Sequence, residues 1–286
     1  MKILKRPLVT VSALAALALV ATSAGVNAAG PPPPSVFDNT VFAANYVSTG
    51  AAGASVVGIG NVLSGTYMTL GADSLVRGDT YSGGIATLGA GALVRGVVNS
   101  PGNVFGAGAT SGGEGVFAPP TAVYANQVDA KQSALNALTP DVNQALGNEA
   151  DGVTYEMGVY QITGLRTYTA STHITLDAGG GLDCRDFVFN VSGYITFGAG
   201  VTMNMVGARN CILPPEVFWN STGGYISIGA GATVLGTVIA KNYVSTGAGS
   251  TVRPPWVQGR GCGGGTYSQS GYVSIGADAK VVRRSC

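Results

Sequence analysis

The chain has 286 residues, with 15 Lys+Arg against 14 Asp+Glu and a formal net charge of +1. Charge this sparse and balanced excludes the basic footprint of a nucleic-acid binder and the composition of a disordered polyelectrolyte. Glycine, at 45 residues, is well above ordinary use, yet it follows neither collagen's triplet nor a Pro/Ser-biased low-complexity pattern.

The first thirty residues read as a processing segment. Lys2, Lys5 and Arg6 precede an apolar run over 8–20, and Val26-Asn27-Ala28 offers a small-residue cleavage site. That is the pattern of a secretory signal peptide over 1–28, too short for a membrane span. The expectation is an extracellular protein, with cell-surface association left open and no membrane contact after cleavage. GPPPPS at 30–35 follows as part of a stiff, polyproline-like spacer over 29–36. Residues 37–286 read as one domain.

Residues 41–118 look all-β. A short motif recurs as NYVSTGA at 45, TYMTLGA at 66 and GIATLGA at 84. Residues 101–118 are glycine-rich and read as a loop or as a cap over one end. Residues 121–147 change character. TAVYANQVDAKQSALNAL lacks glycine, and Tyr124, Val128, Leu135 and Leu138 fall on one helical stripe. Thr121 is placed to cap this helix. Thr139-Pro140 suggests a second short helical turn ending at Gly147.

From 153 onward the short strands return. The motif appears as GYITFGA at 193, GYISIGA at 224, NYVSTGA at 242 and GYVSIGA at 271. Tyr46, Tyr67 and Ile85 are 21 and 18 residues apart, and Tyr225 and Tyr243 are 18 apart. The longer gaps, from Tyr194 to Tyr225 and from Tyr243 to Tyr272, each contain Pro-Pro and a cysteine. Each reads as one coil plus an inserted loop. Repeats of this length, with glycine corners, predict a β-solenoid of three strands per coil. Its coils stack at about the ordinary strand spacing of 4.8 Å.

Alternation along a strand then assigns directions. One inward column holds Val47, Met68, Ala86, Ile195, Ile226, Val244 and Val273. The other holds Thr49, Leu70, Leu88, Phe197, Ile228, Thr246 and Ile275. The residues between them face outward: Ser48, Thr69, Thr87, Thr196, Ser227, Ser245 and Ser274, each bearing a hydroxyl. Tyr225, Tyr243 and Tyr272 share that side. Serine and threonine suit any exposed strand, but an ordinary solvated face also carries Lys and Glu. This one carries none, which points to a flat or repetitive partner.

Residues 158–200, running through GVYQITGLRTYTASTHITLDAGGG and FVFNVSGYITFGAG, resemble the ice-binding-protein-like family of secreted microbial domains. Residues 216–252, with EVFW and GTVIAKNYVSTG, match the next stretch of its pattern, and 41–98 resemble its first coils. The resemblance implies a discontinuous, right-handed triangular β-helix with one long α-helix alongside, over about 121–147. It also implies early and late coils meeting out of sequence order on one continuous face. Characterised members bind ice through a strand-formed surface of Thr, Ser and small residues. The implied function is therefore an antifreeze-like, non-enzymatic protein whose partner is ice or ordered water. Tyrosine stands where the family often has Ser or Thr. With its apolar face and polar tip, it leaves a second reading open: an adhesive or structural matrix protein that binds polysaccharide or another copy of itself.

The sequence offers no complete catalytic or cofactor pattern. Glycoside hydrolysis needs two converging carboxylates, whereas the acidic residues are scattered. Asp177, Asp183 and Asp186 surround glycines and read as turn residues. His173 is the only histidine and has no evident triad partners. GIGNVLSG at 58–65 lacks a following helix. No cofactor or metal site is expected. Trp219 reads as core or corner, and Trp256, after Pro254-Pro255, as an exposed contact candidate. The four cysteines allow three pairings. Cys184–Cys211 and Cys262–Cys286 are favoured because each pair lies within one part of the chain.

Overall fold

The computed structural model describes residues 35–50, 55–58, 60–116, 119–144, 147–149, 151–255, 261 and 263–284. The expected signal peptide, Trp256, Cys262 and Cys286 lie outside the described residues.

The chain winds into a three-faced β-solenoid. A circuit begins with Val41–Ala43, Val47–Thr49 and Ser55–Gly58, then returns to Val62–Ser64, Met68–Leu70 and Leu75–Val76. Within each set of coils the strands pair in parallel with their counterparts one circuit later, as in Val41↔Val62, Val47↔Met68 and Ser55↔Leu75, while the short strand Gly263–Gly264 pairs antiparallel with Arg283 and Arg284. The strands are only a few residues long because each must turn a corner before the next face.

The first coils run from Val41–Ala43 to Thr110–Gly115. The helix Thr121–Asn136 then carries the chain along the flank, and coils resume at Val142–Gln144 and continue to Lys280–Arg284. The last coil stacks on the first. Val41 pairs with Thr266, Val47 with Val273 and Ser55 with Lys280, so all three faces cross this seam.

The interior is apolar, as alternation predicts. Val47, Ile195, Ile226, Val244 and Val273 are fully buried, and Met68 and Ala86 nearly so. Thr49 and Thr246, the polar members of the second inward column, are buried with their hydroxyls bonded. Thr49 Oγ1 lies 2.6 Å from Ser74 Oγ and accepts from the Gly71 N–H at 2.8 Å. The Gly276 N–H donates to Thr246 Oγ1 at 3.2 Å. Between the helix-facing strands and the interior, Tyr160, Phe189 and Trp219 stack with centroids 5.0 and 4.0 Å apart. Trp219 is a core residue, and its indole N–H donates to Leu235 O at 2.8 Å.

The helix covers one face. The strands beneath it, among them Phe187–Val191 and Val217–Ser221, are buried on both sides. Tyr124, Val128 and Leu135 pack there with Phe42, Val188, Phe218 and Ile239. A buried polar network fixes the contact. Asn190 donates to Leu135 O at 2.7 Å, Asn220 donates to Gln132 O at 3.2 Å, and Gln132 donates to Asn220 Oδ1 at 3.0 Å.

Three sequence expectations change. The helix ends at Asn136, short of 147. Thr139-Pro140 terminates it, because proline disfavours helix in the residue before it. The chain then enters the strand Val142–Gln144, paired with Tyr160–Ile162, in place of a second helical turn. Leu138 lies past the helix and is exposed. Thr121 is the first helical residue and makes no cap; its hydroxyl donates to Pro119 O at 3.3 Å. Finally, the glycine-rich segment expected as a loop or as a cap over one end contains two strands. Gly102–Phe105 and Thr110–Gly115 extend the solenoid by another coil. A bulge between Ser111 and Gly113, together with Glu114, blunts that outer strand against edge pairing.

The motif's glycine has a steric cause. It follows the second inward residue, where coils pass closely. A Cβ on Gly229 would lie 2.5 Å from the Ala199 nitrogen, well inside contact distance. Two residues on, the corner takes a left-handed backbone, with φ of 67° at Gly231 and 55° at Asp278.

Two outcomes follow. Gly229→Val should cost about 1–3 kcal/mol by forcing coils apart, whereas Ala230→Val, one residue away and exposed, should change stability by less than about 0.5 kcal/mol. Equal effects in chemical unfolding would contradict the close-approach argument. Alkali should also unfold the protein through its buried phenols. Burial pushes Tyr155 up to about 12 from an ordinary 10.0, and raises Tyr168 well above it. The unfolded chain therefore loses these protons first, and stability is present below pH 10 and falls as pH rises through the folded values. A melting temperature unchanged from pH 9 to 12 would contradict this.

Candidate functional site: the open charge-free sheet

Short strands that end in glycine corners stack into a ten-stranded parallel sheet. In spatial order its strands are Gly102–Phe105, Ile85–Leu88, Met68–Leu70, Val47–Thr49, Val273–Ile275, Val244–Thr246, Ile226–Ile228, Ile195–Phe197, Arg166–Tyr168 and Gly147–Glu149. Its inner side lines the core. Its outer side meets no other element among the described residues.

In-register pairing collects all seven hydroxyl positions expected from the sequence into one row. Thr87 neighbours Thr69, Thr69 neighbours Ser48, and Ser48 neighbours Ser274 across the seam. The row continues through Ser245 and Ser227 to Thr196. It then gains a member outside the repeated motif, Thr167, paired with Thr196. The signal was present in LRTYT, which alternates as the motif does but replaces its tyrosine with Leu165 and its glycine with Thr169. The side chains are half-buried, apart from exposed Thr69. Ser245 Oγ donates to Ser227 Oγ at 3.4 Å.

The tyrosines form a second row beside the hydroxyls. Tyr67, Tyr46, Tyr272, Tyr243, Tyr225 and Tyr194 stack in that order. Their centroids are 4.7–4.9 Å apart and their planes lie within 2–8° of parallel. The spacing is the strand spacing, so each ring contacts the next without bending the backbone. Such pairs contribute about 0.5–1.5 kcal/mol each. Partial desolvation and the adjacent phenols raise the pKa of Tyr46 and Tyr243. Because ring faces meet ring faces, the row presents edges and hydroxyls to solvent. Stacking on sugars, which needs a free ring face, is confined to the two ends of the row.

No charged side chain stands on the outer side of this sheet among the described residues. Arg166 and Glu149 take inward positions and pair with each other near one end, where Arg166 is buried. The third face differs. Exposed Arg77 and Arg95 follow the paired Val76 and Val94, and exposed His173, Glu156 and Lys280 lie on the same face.

The remaining sequence candidates lie elsewhere. His173 Nδ1 is 2.7 Å from Asp151 Oδ1, and both side chains are exposed. Asp177 accepts from the Gly179 N–H, as a turn residue does, whereas Asp186 accepts from the Glu216 N–H of the next coil and so ties two coils together. Cys184 and Cys211 form a disulfide that ties together the loops of adjacent coils. Among the described residues, no group of three or more His, Cys, Asp or Glu could hold a metal ion. No helix among them is long and apolar enough to cross a membrane.

Comparison with known proteins gives the same architecture. An ice-binding protein from an Antarctic biological consortium shares 18% identity at a TM-score of 0.55, over 90% of this chain and 93% of that one. The DUF3494 domain of a Shewanella frigidimarina ice-binding protein shares 16% at 0.54, over 91% and 100%. One from the Antarctic ascomycete Antarctomyces psychrotrophicus shares 17% at 0.52, over 87% and 96%. At such identities these likenesses establish the fold alone. No curated protein matches the chain. The Ice-binding-like family matches residues 62–279, and the chain belongs to that family.

Proposed function

We propose that this protein binds ice and acts as an antifreeze-like adsorber, without catalysis, through the outer side of the ten-stranded sheet. The contact row is Thr87, Thr69, Ser48, Ser274, Ser245, Ser227, Thr196 and Thr167, flanked by the stacked tyrosines. The signal-like segment over 1–28 supports an extracellular site of action, where ice would be met.

The observation that carries this reading is the absence of charge from one face of a solenoid that accepts charge on another. Folding alone does not exclude it, since Arg77 and Arg95 occupy neighbouring coils on the third face. An ammonium holds its own strong hydration shell. A hydroxyl both donates and accepts, as a water molecule in ice does, and so can join a lattice of water. Rows repeating at the strand spacing offer such groups at fixed intervals on a rigid support. Membership of the Ice-binding-like family supports the same reading.

Ser227→Lys and Ser245→Lys should each abolish ice-recrystallisation inhibition at micromolar concentration while leaving the circular dichroism spectrum unchanged. Thr202→Lys, at an exposed position on a different face, should leave inhibition intact. Inhibition that survives both serine substitutions would rule out this face, and a wild-type protein with no inhibition would rule out ice binding.

A further inference from the structure

The third face carries a basic stripe that ice binding leaves unused. Five successive strands, Leu93–Asn99, Leu75–Val76, Ser55–Gly58, Lys280–Arg284 and Thr251–Arg253, stack in parallel there across the seam. They contain no acidic residue. Register places Arg95 beside Arg77, because the preceding residues Val94 and Val76 are paired. Lys280 precedes the buried Val281, and Arg253 follows Val252, the partner of Val281. Arg77, Arg95, Lys280 and Arg284 are exposed, and Arg253 is half-buried. Among the described residues, no ion pair involves Arg77, Arg95, Lys280 or Arg253. Asp73 and Asp278 stand at left-handed corners before these strands. Asp79, at the following corner, accepts from the Val97 N–H at 2.8 Å and from the Tyr81 hydroxyl at 3.2 Å. Further along the same face, by contrast, His173 lies against Asp151 at 2.7 Å. Parallel stacking holds Arg77 and Arg95 at about the strand spacing of 4.8 Å. Like charges this close repel, and no carboxylate on these strands offsets the repulsion.

We propose that this stripe binds an acidic polysaccharide, an extended chain with carboxylates at intervals along it. A guanidinium pairs with a carboxylate through a planar fork of two hydrogen bonds, and it is more weakly hydrated than an ammonium. Four of the five cations are arginines. Five strands at about 4.8 Å span about 19 Å, a line that an extended polymer can follow and a single small anion cannot. Bound carboxylates would offset the repulsion that the fold leaves in place. The corner acids Asp73 and Asp278 disfavour a densely charged phosphate chain and tolerate one whose charges are spaced by sugar rings. A lipid surface fits less well, because Leu93 is the one exposed large apolar side chain on these strands among the described residues, which leaves little to enter the acyl region. The signal-like segment over 1–28 supports an extracellular site of action, where such polymers are met. The stripe and the open sheet are different faces of the solenoid, so a protein held by the stripe keeps its charge-free face available. The stripe proposal does not depend on ice binding.

Binding of the mature protein to immobilised polygalacturonate, with neutral dextran as the control surface, tests the assignment. The expected result is binding to polygalacturonate alone at about 20 mM salt, weakened roughly tenfold or more at about 300 mM by screening. Arg77→Glu and Arg95→Glu should each weaken binding by roughly tenfold. Arg209→Glu, at an exposed position away from the stripe, should leave it unchanged, with circular dichroism confirming that all three fold. No binding at low salt would overturn the proposal, as would binding that neither Arg77→Glu nor Arg95→Glu affects. Binding to phosphatidylglycerol vesicles without binding to polygalacturonate would assign the stripe to a membrane and overturn it as well. Ice-recrystallisation inhibition reads a different face, so either result can fail while the other stands.

Discussion

The pairing of Val47–Thr49 with Val273–Ile275 joins strands more than two hundred residues apart, and the open face depends on it. Without this seam the first coils and the last would be two short stacks, each with an exposed strand edge. With it, the hydroxyl row runs from Thr87 to Thr167 unbroken and the tyrosine row from Tyr67 to Tyr194. Flanking pairings, Val41 with Thr266 and Ser55 with Lys280, close the seam on the other two faces. The helix makes this order possible. It carries the chain along the flank between the two sets of coils, and the buried amides of Gln132, Asn190 and Asn220 hold it in place.

Parallel in-register stacking converts a sequence repeat into a surface pattern. Each repeat deposits its tyrosine on the previous tyrosine and its serine on the previous serine. The same rule explains the avoided residues. Two like charges about 4.8 Å apart repel by roughly 1 kcal/mol even in water, so a charged column accumulates a penalty along its length. That penalty is tolerated on the third face, where Arg77 neighbours Arg95. Its complete absence from ten consecutive strands is more than the fold requires. Ice supplies a reason, because it needs a regular surface without bound counterions or strongly held hydration water.

Side-chain direction was legible in the sequence because it depends only on the two-residue period of a strand. Val47, Ile226 and Val273 point inward and Ser48, Ser227 and Ser274 outward, as alternation requires. The resemblance to a known family supplied the out-of-order meeting of early and late coils. Other features depend on contacts that no local pattern encodes. The strands at 102–105 and 110–115 were hidden because glycine-rich segments have little strand propensity, and neighbouring coils supply their hydrogen bonds. The segment after Pro140 has helix-like signals but pairs with Tyr160–Ile162. Thr167 was hidden because Leu165 and Thr169 replace the motif's tyrosine and glycine. The tyrosines were recognised as outward, but not as stacked on one another. Their ring-to-ring contact follows from the coil order, which is a property of the fold.

The central claim is that both halves of the chain contribute to one ice-contacting surface across the seam. The most direct measurement is the fraction of fluorescently labelled protein retained in a growing ice crystal, comparing wild type with Thr69→Lys on one side of the seam and Thr196→Lys on the other. The account predicts comparable loss of retention in both variants, with folding unchanged. Loss in one variant and full retention in the other would contradict a continuous face, and full retention in both would contradict the face itself.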